Sequence, residues 1–360
     1  MQVTAPTGNP YGSLIERFFI QQFPSPLSDK RELLEAITSA FVATGSVRYG
    51  PAPSPEQLVA IRATIAESIA AHAPVPVLIP WGGRKADAGT GLDVAEIGAF
   101  KVIAALDARV RAFYPQGTRI NVRLEDTGAW YLFKDEPGSR AATHAYTETF
   151  QGAVEALDMK FLHAIPESML MSERQYFDQS EAWRELILSY LLVSRGATDP
   201  RRIDEMQEWK RLAVAGWKGY IPEEQREFYI QRYRRIYPGL SESEYLNKLA
   251  AYLGGAITRY ELGGTAAPAG VPSYITVSFV PPVPGAPDGL TSRRLYYRTL
   301  PAGAARTHIP AWRAKGYLRI HNDNTVTPKL ASFGDVPEGL QRCSVILGGV
   351  RVETDYLVDE

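Results

Sequence analysis

Between Leu92 and Phe113 the apolar residues Leu92, Ala95, Ala99, Val102, Leu106, Val110 and Phe113 recur at steps of three and four, the spacing of one helical face. Tyr114-Pro115-Gln116-Gly117 ends the run, because proline cannot continue a helix and glycine permits the turn. Upstream, Pro74-Val75-Pro76-Val77-Leu78-Ile79-Pro80 is a short apolar run closed by proline and reads as a buried strand. Downstream, Arg119–Leu124 alternates as a half-buried strand does. Strand, loop, long helix, turn, strand is a βαβ unit. It implies parallel pairing and a ligand crevice at the carboxyl ends of the strands.

On either side the pattern changes. The N-terminal part predicts helices over Ser13–Phe23, Asp29–Thr44 and Pro55–Ala71, separated by the proline-rich joints Phe23-Pro24-Ser25-Pro26 and Pro51-Ala52-Pro53. From about Thr149 to Leu262 the chain reads as mostly helical and rich in Tyr, Trp and Arg. From Tyr274 onward it predicts strands over Tyr274–Val280, Arg293–Leu300, Tyr317–His321, Val326–Ser332, Ser344–Leu347 and Val350–Tyr356. Asn322-Asp323-Asn324 and Gly348-Gly349 are turn signals, the second that of a tight hairpin. The organisation is therefore α/β: a helical N-terminal segment (1–73), a βαβ core (74–148), a helical middle (149–265) and a β-rich C-terminal part (266–360) that joins the core.

Composition narrows the function. The 360 residues are 45% hydrophobic and 22% charged, an ordinary globular balance. With 39 basic and 40 acidic residues the net charge is −1, so there is no general positive field for nucleic acid. The cluster Arg226, Arg232, Arg234 and Arg235 sits among Glu and Tyr and reads as a solvated face. No apolar run approaches the ~18 residues needed to cross a bilayer. A single cysteine, Cys343, excludes a disulfide framework within the chain. Met1–Phe18 carries no basic stretch followed by an apolar core, so the expected compartment is the cytoplasm. The expected partners are small molecules, with neither nucleic acid nor membrane, and the chain is compatible with a homodimer. The sequence has no Walker A loop, Gly-x-Gly-x-x-Gly, His-Glu-x-x-His or Gly-x-Ser-x-Gly. His321-Asn322-Asp323 has the His-x-Asp spacing of an iron triad but no histidine follows it, so it reads as a β-turn. Neither a metal nor a cofactor is expected.

The best chemistry lies in Trp81-Gly82-Gly83-Arg84-Lys85 and the helix start Leu92-Asp93-Val94-Ala95-Glu96. Two cations follow a flexible diglycine beyond a buried strand, where an arriving helix N-terminus also favours anions. A carboxylate or phosphate would fit there. Glu96 repeats with Ile103 and Val110 at heptad steps and so falls near the buried stripe, where desolvation would raise its pKa toward that of a general base. Alternatively, Asp93 is an N-cap and Glu96 its capping-box partner. At the end of the next strand, Leu124-Glu125-Asp126-Thr127-Gly128 offers acids that either hold an amine or shape a turn. His308, Trp312 and Arg313 in the C-terminal part are further ligand-facing candidates, with a structural role open for His308.

The order of strand, basic loop, Asp-x-x-Glu helix, Tyr-Pro-x-Gly turn and a strand ending in an acid–glycine loop resembles the pyoverdine/dityrosine biosynthesis family, the isonitrile synthases. Arg202–Tyr220, Tyr274–Pro281, Arg293–Leu300 and Pro310-Ala311-Trp312 extend the likeness to roughly Val75–Lys329. The resemblance implies a Rossmann-like core and a metal-free condensation of the amine of tyrosine or tryptophan with ribulose 5-phosphate. By position Lys85 matches the family's lysine, Asp93 and Glu96 its Asp-x-x-Glu, and Asp126 with Gly128 its Asp-Gly loop. The family's Phe-Pro-x-Lys-Ser is here Trp81-Gly82-Gly83-Arg84-Lys85, and its Pro-Trp-His is broken as Pro310-Ala311-Trp312-Arg313. The residues and the resemblance together give Glu96, Lys85 and Asp126 as the expected catalytic residues and Arg84, Asp93, Glu125, His308, Trp312 and Arg313 as the expected substrate-binding ones. Pictet–Spengler β-carboline synthesis from tryptophan and an aldehyde is a related alternative, and a non-catalytic binding protein is a second.

Overall fold

The computed structural model describes residues 3–4, 8–22, 32–43, 48–49, 52–85, 91–132, 134, 137–193, scattered positions between 239 and 258, 274–279, 294–300, 309–331 and 335–359. His308, the arginine cluster and the Arg202–Tyr220 segment lie outside the described residues.

The elements are β1 (Val3–Thr4), α1 (Gly12–Ile20), α2 (Leu33–Val42), β2 (Arg48–Tyr49), α3 (Pro55–Ala70), β3 (Val75–Gly82), α4 (Val94–Arg111), β4 (Thr118–Glu125), α5 (Asp126–Leu132), α6 (Ser139–Ala156), β5 (Leu162–Pro166), α7 (Glu173–Val193), β6 (Ile275–Ser278), β7 (Arg294–Tyr297), β8 (Lys315–Ile320), β9 (Val326–Ala331), β10 (Gln341–Leu347) and β11 (Val350–Val358). Local chemistry accounts for several boundaries. Ser54 caps α3 in a reciprocal capping box with Gln57, followed by Pro55 in the first turn. Gly117, at φ 63°, turns the chain after α4, and Asp107 then accepts from both the Thr118 N–H (2.8 Å) and its hydroxyl (2.7 Å) to start β4. Gly348 and Gly349 both have positive φ between β10 and β11, as a tight I′ hairpin requires.

Two sheets organise the molecule. One has the order β2-β7-β6-β3-β4-β5, in which β7, β6, β3, β4 and β5 are parallel and β2 is an antiparallel edge. From β3 the chain moves outward through β4 to β5, then returns to place β6 on the other side of β3. The order therefore reverses between β3 and β6, and such a reversal opens a crevice beyond the carboxyl ends of the strands. The second sheet, β1-β10-β11-β8-β9, is antiparallel except for the β11–β8 pair.

Helix α4 packs against both sheets. That explains why fourteen of its 18 residues are buried, more than the single apolar stripe in the sequence predicts. The helical middle predicted from the sequence is interrupted by β5, which pairs with β4 from Ile120↔Leu162 to Leu124↔Pro166. Among the described residues no helix is long and apolar enough to cross a membrane.

Candidate functional site

The parallel register ends with Trp81↔Leu124 and Gly82↔Glu125, so the ends of β3 and β4 lie side by side. The diglycine there is a close-approach point, not a flexible hinge. A Cβ on Gly82 would fall 2.2 Å from Trp312 Cδ1, and one on Gly83 would fall 2.1 Å from the Glu125 carbonyl oxygen. Glycine lets the basic segment cross the end of β4 and lets Trp312 cover β3.

Immediately beyond, Lys85 turns inward. Its Nζ lies 3.0 Å from Asp93 Oδ1, 2.8 and 2.6 Å from the two oxygens of Glu96, and 2.9 Å from the Ala311 carbonyl oxygen. All three charged side chains are fully buried. Asp93 also accepts from the Ala95 N–H (2.7 Å), capping α4, and from the Gly316 N–H of β8 (3.1 Å). Glu96 accepts from the Asp93 N–H at 3.1 Å and from the Tyr146 hydroxyl at 3.0 Å. The Trp81 indole N–H in turn donates to Tyr146 Oη at 3.0 Å. Desolvation pushes the Glu96 carboxyl up to about 8, against the pull of Lys85, with Asp93 adding to the rise. Burial and the Glu96 charge push the Tyr146 hydroxyl well above its ordinary range.

Charge counting explains the Glu96 shift. Fully ionised, one ammonium and two carboxylates leave an excess negative charge in a site with no water contact. One added proton would make the cluster neutral, and desolvation makes Glu96 easier to protonate than an ordinary carboxylate. The capping reading of Glu96 holds, and the same carboxylate that caps α4 also grips Lys85. The geometry revises the expected anion seat. A lysine has three N–H donors, and those of Lys85 face Asp93, Glu96 and Ala311. Asp93 occupies the α4 N-terminus.

Arg84 is buried and donates from Nη1 to Ser139 Oγ (3.0 Å) at the start of α6. Ser139 also lines an open cleft of about 680 Å³, with Trp130, Lys134, Gly138, Arg140 and His144 around it. Arg84 thus stands behind one wall of the cleft. Arg140 stacks over the Trp130 ring at 4.7 Å and pairs with Glu173 at 2.8 Å.

The other candidates are placed as follows. Asp126 opens α5 directly, with no loop between it and β4, and accepts from the Ser168 N–H (3.1 Å) and hydroxyl (2.5 Å). Glu125 is half-buried, 3.8 Å from Arg123. Trp312 and Arg313 lie on a short 3-10 turn, Ala311–Arg313; Trp312 packs on Trp81 with 5.2 Å between centroids, and Arg313 is half-buried. His321 bonds Asp359 Oδ2 (2.8 Å) and Thr327 Oγ1 (2.9 Å) beside the turn that joins β8 to β9. Among the described residues no group of three His, Cys, Asp or Glu could hold a metal ion.

Three residues of this region have roles that the sequence does not show. Trp81 and Tyr146 form the hydrogen-bonded wall of the cluster, and buried Glu167 accepts from the Gly128 N–H at 3.1 Å. A usable signal exists for two of them. Tyr146 continues the Ser139, Thr143, Phe150 and Ala153 buried face of α6, and Glu167 follows Ala164-Ile165-Pro166, an apolar run closed by proline like that of β3.

No protein-family model matches the chain, and no curated protein sequence matches it. Among solved structures, the crystal structure of the PvcA protein from Pseudomonas aeruginosa is similar with a TM-score of 0.58 and 16% sequence identity. The match covers 91% of this chain and 100% of that one. At that identity the likeness is one of fold, and it extends over the whole of the compared chain.

Proposed function

We propose that this protein is an isonitrile synthase-like enzyme of small-molecule biosynthesis. In this reading it condenses the α-amine of an aromatic L-amino acid, tryptophan or tyrosine, with a carbonyl compound of the ribulose 5-phosphate type. The observation that carries the proposal is the buried Lys85–Asp93–Glu96 cluster, whose carboxyl is poised near neutral pH at the strand-order reversal. The PvcA-like fold supports it, as does the residue order shared with the isonitrile synthases.

The opening step needs a group that takes and returns protons. The amine nitrogen attacks the carbonyl carbon, a C–N bond forms, and the carbonyl oxygen leaves as water once it has gained two protons. Glu96 has the raised pKa for such transfers. Lys85 holds Glu96 in place, and Arg84, behind the cleft wall, is the cation placed to attract an anionic group.

A second reading draws on the burial itself. Because Lys85, Asp93 and Glu96 have no exposed side-chain surface, the cluster also fits a brace for a protein that binds its ligand without turnover. High-resolution mass spectrometry of the protein with tryptophan or tyrosine and ribulose 5-phosphate, and with an aldehyde series, separates the readings. The expected result is an isonitrile mass that is lost in folded Glu96→Gln. A cyclised amine–aldehyde adduct would assign Pictet–Spengler chemistry instead. Saturable binding with no product from any pair would overturn the enzyme reading in favour of the binding one.

A further inference from the structure

The hydrogen bonds around Glu96 have a direction that the residue types dictate. An indole N–H can only donate. Trp81 therefore commits one lone pair of Tyr146 Oη, at 3.0 Å, and the phenol's single proton points onward to Glu96 Oε1, also at 3.0 Å. The other neighbours of Glu96 are donors too: Lys85 Nζ on both oxygens and the Asp93 N–H on Oε2. The carboxyl is thus surrounded by donors, and the phenol, which cannot donate to the indole N–H, directs its proton to Glu96.

Packing holds that direction. Trp81 is fully buried and lies against Phe100 (5.9 Å between centroids), Phe150 (5.1 Å), Phe279 (5.5 Å) and Trp312 (5.2 Å), so its N–H cannot swing away without disturbing four rings. Tyr146 is buried on α6, one turn before Phe150.

We propose that Tyr146, oriented by Trp81, is a positioning residue whose donated hydrogen bond favours the carboxylate form of Glu96 against the desolvation that favours protonation. This rests on the reading of Glu96 as the proton-transferring group. It adds that the base is tuned from α6 as well as by the lysine, through a chain that runs Trp81 to Tyr146 to Glu96. Tyr146 touches no reacting atom in this account, and its effect passes through the carboxyl.

The test reads the carboxyl directly. Infrared difference spectra of the intact protein, recorded across a pH titration, follow the C=O stretch of a protonated buried carboxyl. Glu96→Gln identifies which band belongs to Glu96. Tyr146→Phe keeps the ring and removes one donor, and it should move the Glu96 midpoint upward by about half to one pH unit. Trp81→Phe keeps the phenol but removes the N–H that orients and polarises it as a donor, and it should move the midpoint the same way. A merely structural role would lower stability in both variants and leave the midpoint in place, which would overturn the inference. Should Trp81→Phe fail to fold, the near-isosteric Tyr146→Phe still decides. A shifted midpoint in a protein that makes no product would leave the tuning role intact and sink only the proposed reaction.

Discussion

Replacing Lys85 with methionine keeps most of the side-chain volume and removes the charge. Asp93 would retain the Ala95 and Gly316 N–H groups, and Glu96 the Asp93 N–H and the Tyr146 hydroxyl. Two fully buried carboxyls would then face each other without the ammonium that now bonds both, and the Ala311 carbonyl would lose a donor. Breaking a buried ion pair from one side costs about 3–5 kcal/mol, and an orphaned buried acceptor adds about 1–3 kcal/mol. Set against a total stability of about 5–15 kcal/mol, the variant should be marginal at high pH. The deficit should also depend on pH with a definite sign. The Glu96 carboxyl stands at about 8 in the folded protein against 4.5 in the unfolded chain. A raised folded pKa means that stability is fully present below the unfolded value and is lost as pH climbs through the folded one. Lys85 now lowers that folded value, so its removal raises it further and extends the loss beyond pH 8. Urea unfolding at about pH 5, 7 and 9 should show similar deficits at 5 and 7, where the carboxyl is protonated in both folded proteins, and a larger one at 9, growing above about pH 8 by at most ~1.4 kcal/mol per pH unit for each proton involved. A deficit below about 1 kcal/mol throughout, or one equal at all three pH values, would refute the reasoning that these charges are uncompensated without Lys85.

Other consequences follow from single contacts. In Glu96→Gln the decline in stability between pH 4.5 and 8 attributed to this carboxyl should vanish, and urea curves that stay parallel to the native protein's across that window would count against the assignment. Gly82→Ala places a methyl group 2.2 Å from Trp312 and should lose about 1–3 kcal/mol with a changed near-ultraviolet dichroism, whereas Gly91→Ala, with nothing within 4 Å, should stay within about 0.5 kcal/mol. Lys101 donates to the Phe18 and Gln21 carbonyls at the end of α1, and burial lowers it to about 8 from 10.5. A depressed folded pKa makes this contribution to stability rise between those two values, so Lys101→Met should flatten the unfolding free energy over that range; an unchanged slope there would contradict it.

Much of this architecture is legible in the sequence because it rests on local rules. The α4 periodicity, the Pro115–Gly117 stop, the α3 helix after its proline-rich joint and the Gly348-Gly349 hairpin each encode their own structure, and all appear where the spacing puts them. The features that escape depend on partners distant in the chain. β5 reads as part of a helical stretch because its five residues show no clear alternation, and its pairing with β4 decides the matter. The diglycine reads as flexible because its constraint comes from Trp312 and Glu125, not from its neighbours. At the site, the loop and helix start are found together as expected, but the closing partners Tyr146, Ala311 and Gly316 lie 50 or more positions from the charged residues they contact. Sequence spacing can nominate Lys85 as a free cation; only the fold shows its donors already engaged.

A buried ion cluster is weak evidence that stability is its purpose. Apolar replacements of similar volume often match or exceed such clusters, because desolvation offsets most of the Coulombic gain. Capping α4 likewise requires neither full burial nor a lysine, and a good N-cap contributes only ~1 kcal/mol. The paired variant Lys85→Met with Glu96→Leu separates these purposes. It removes one charge of each sign, leaves Asp93 to cap α4 through the Ala95 N–H, and fills the space with carbon. A brace needs only volume and fit, so under that reading the double variant stays folded, destabilised by the buried Asp93 carboxylate it leaves behind, and retains ligand binding. A proton-transferring site needs the carboxyl itself, so under the proposed function the same folded variant binds its amine substrate but forms no product. Product formed at the native rate by the double variant would remove Glu96 from the chemistry, however well its pKa suits the task.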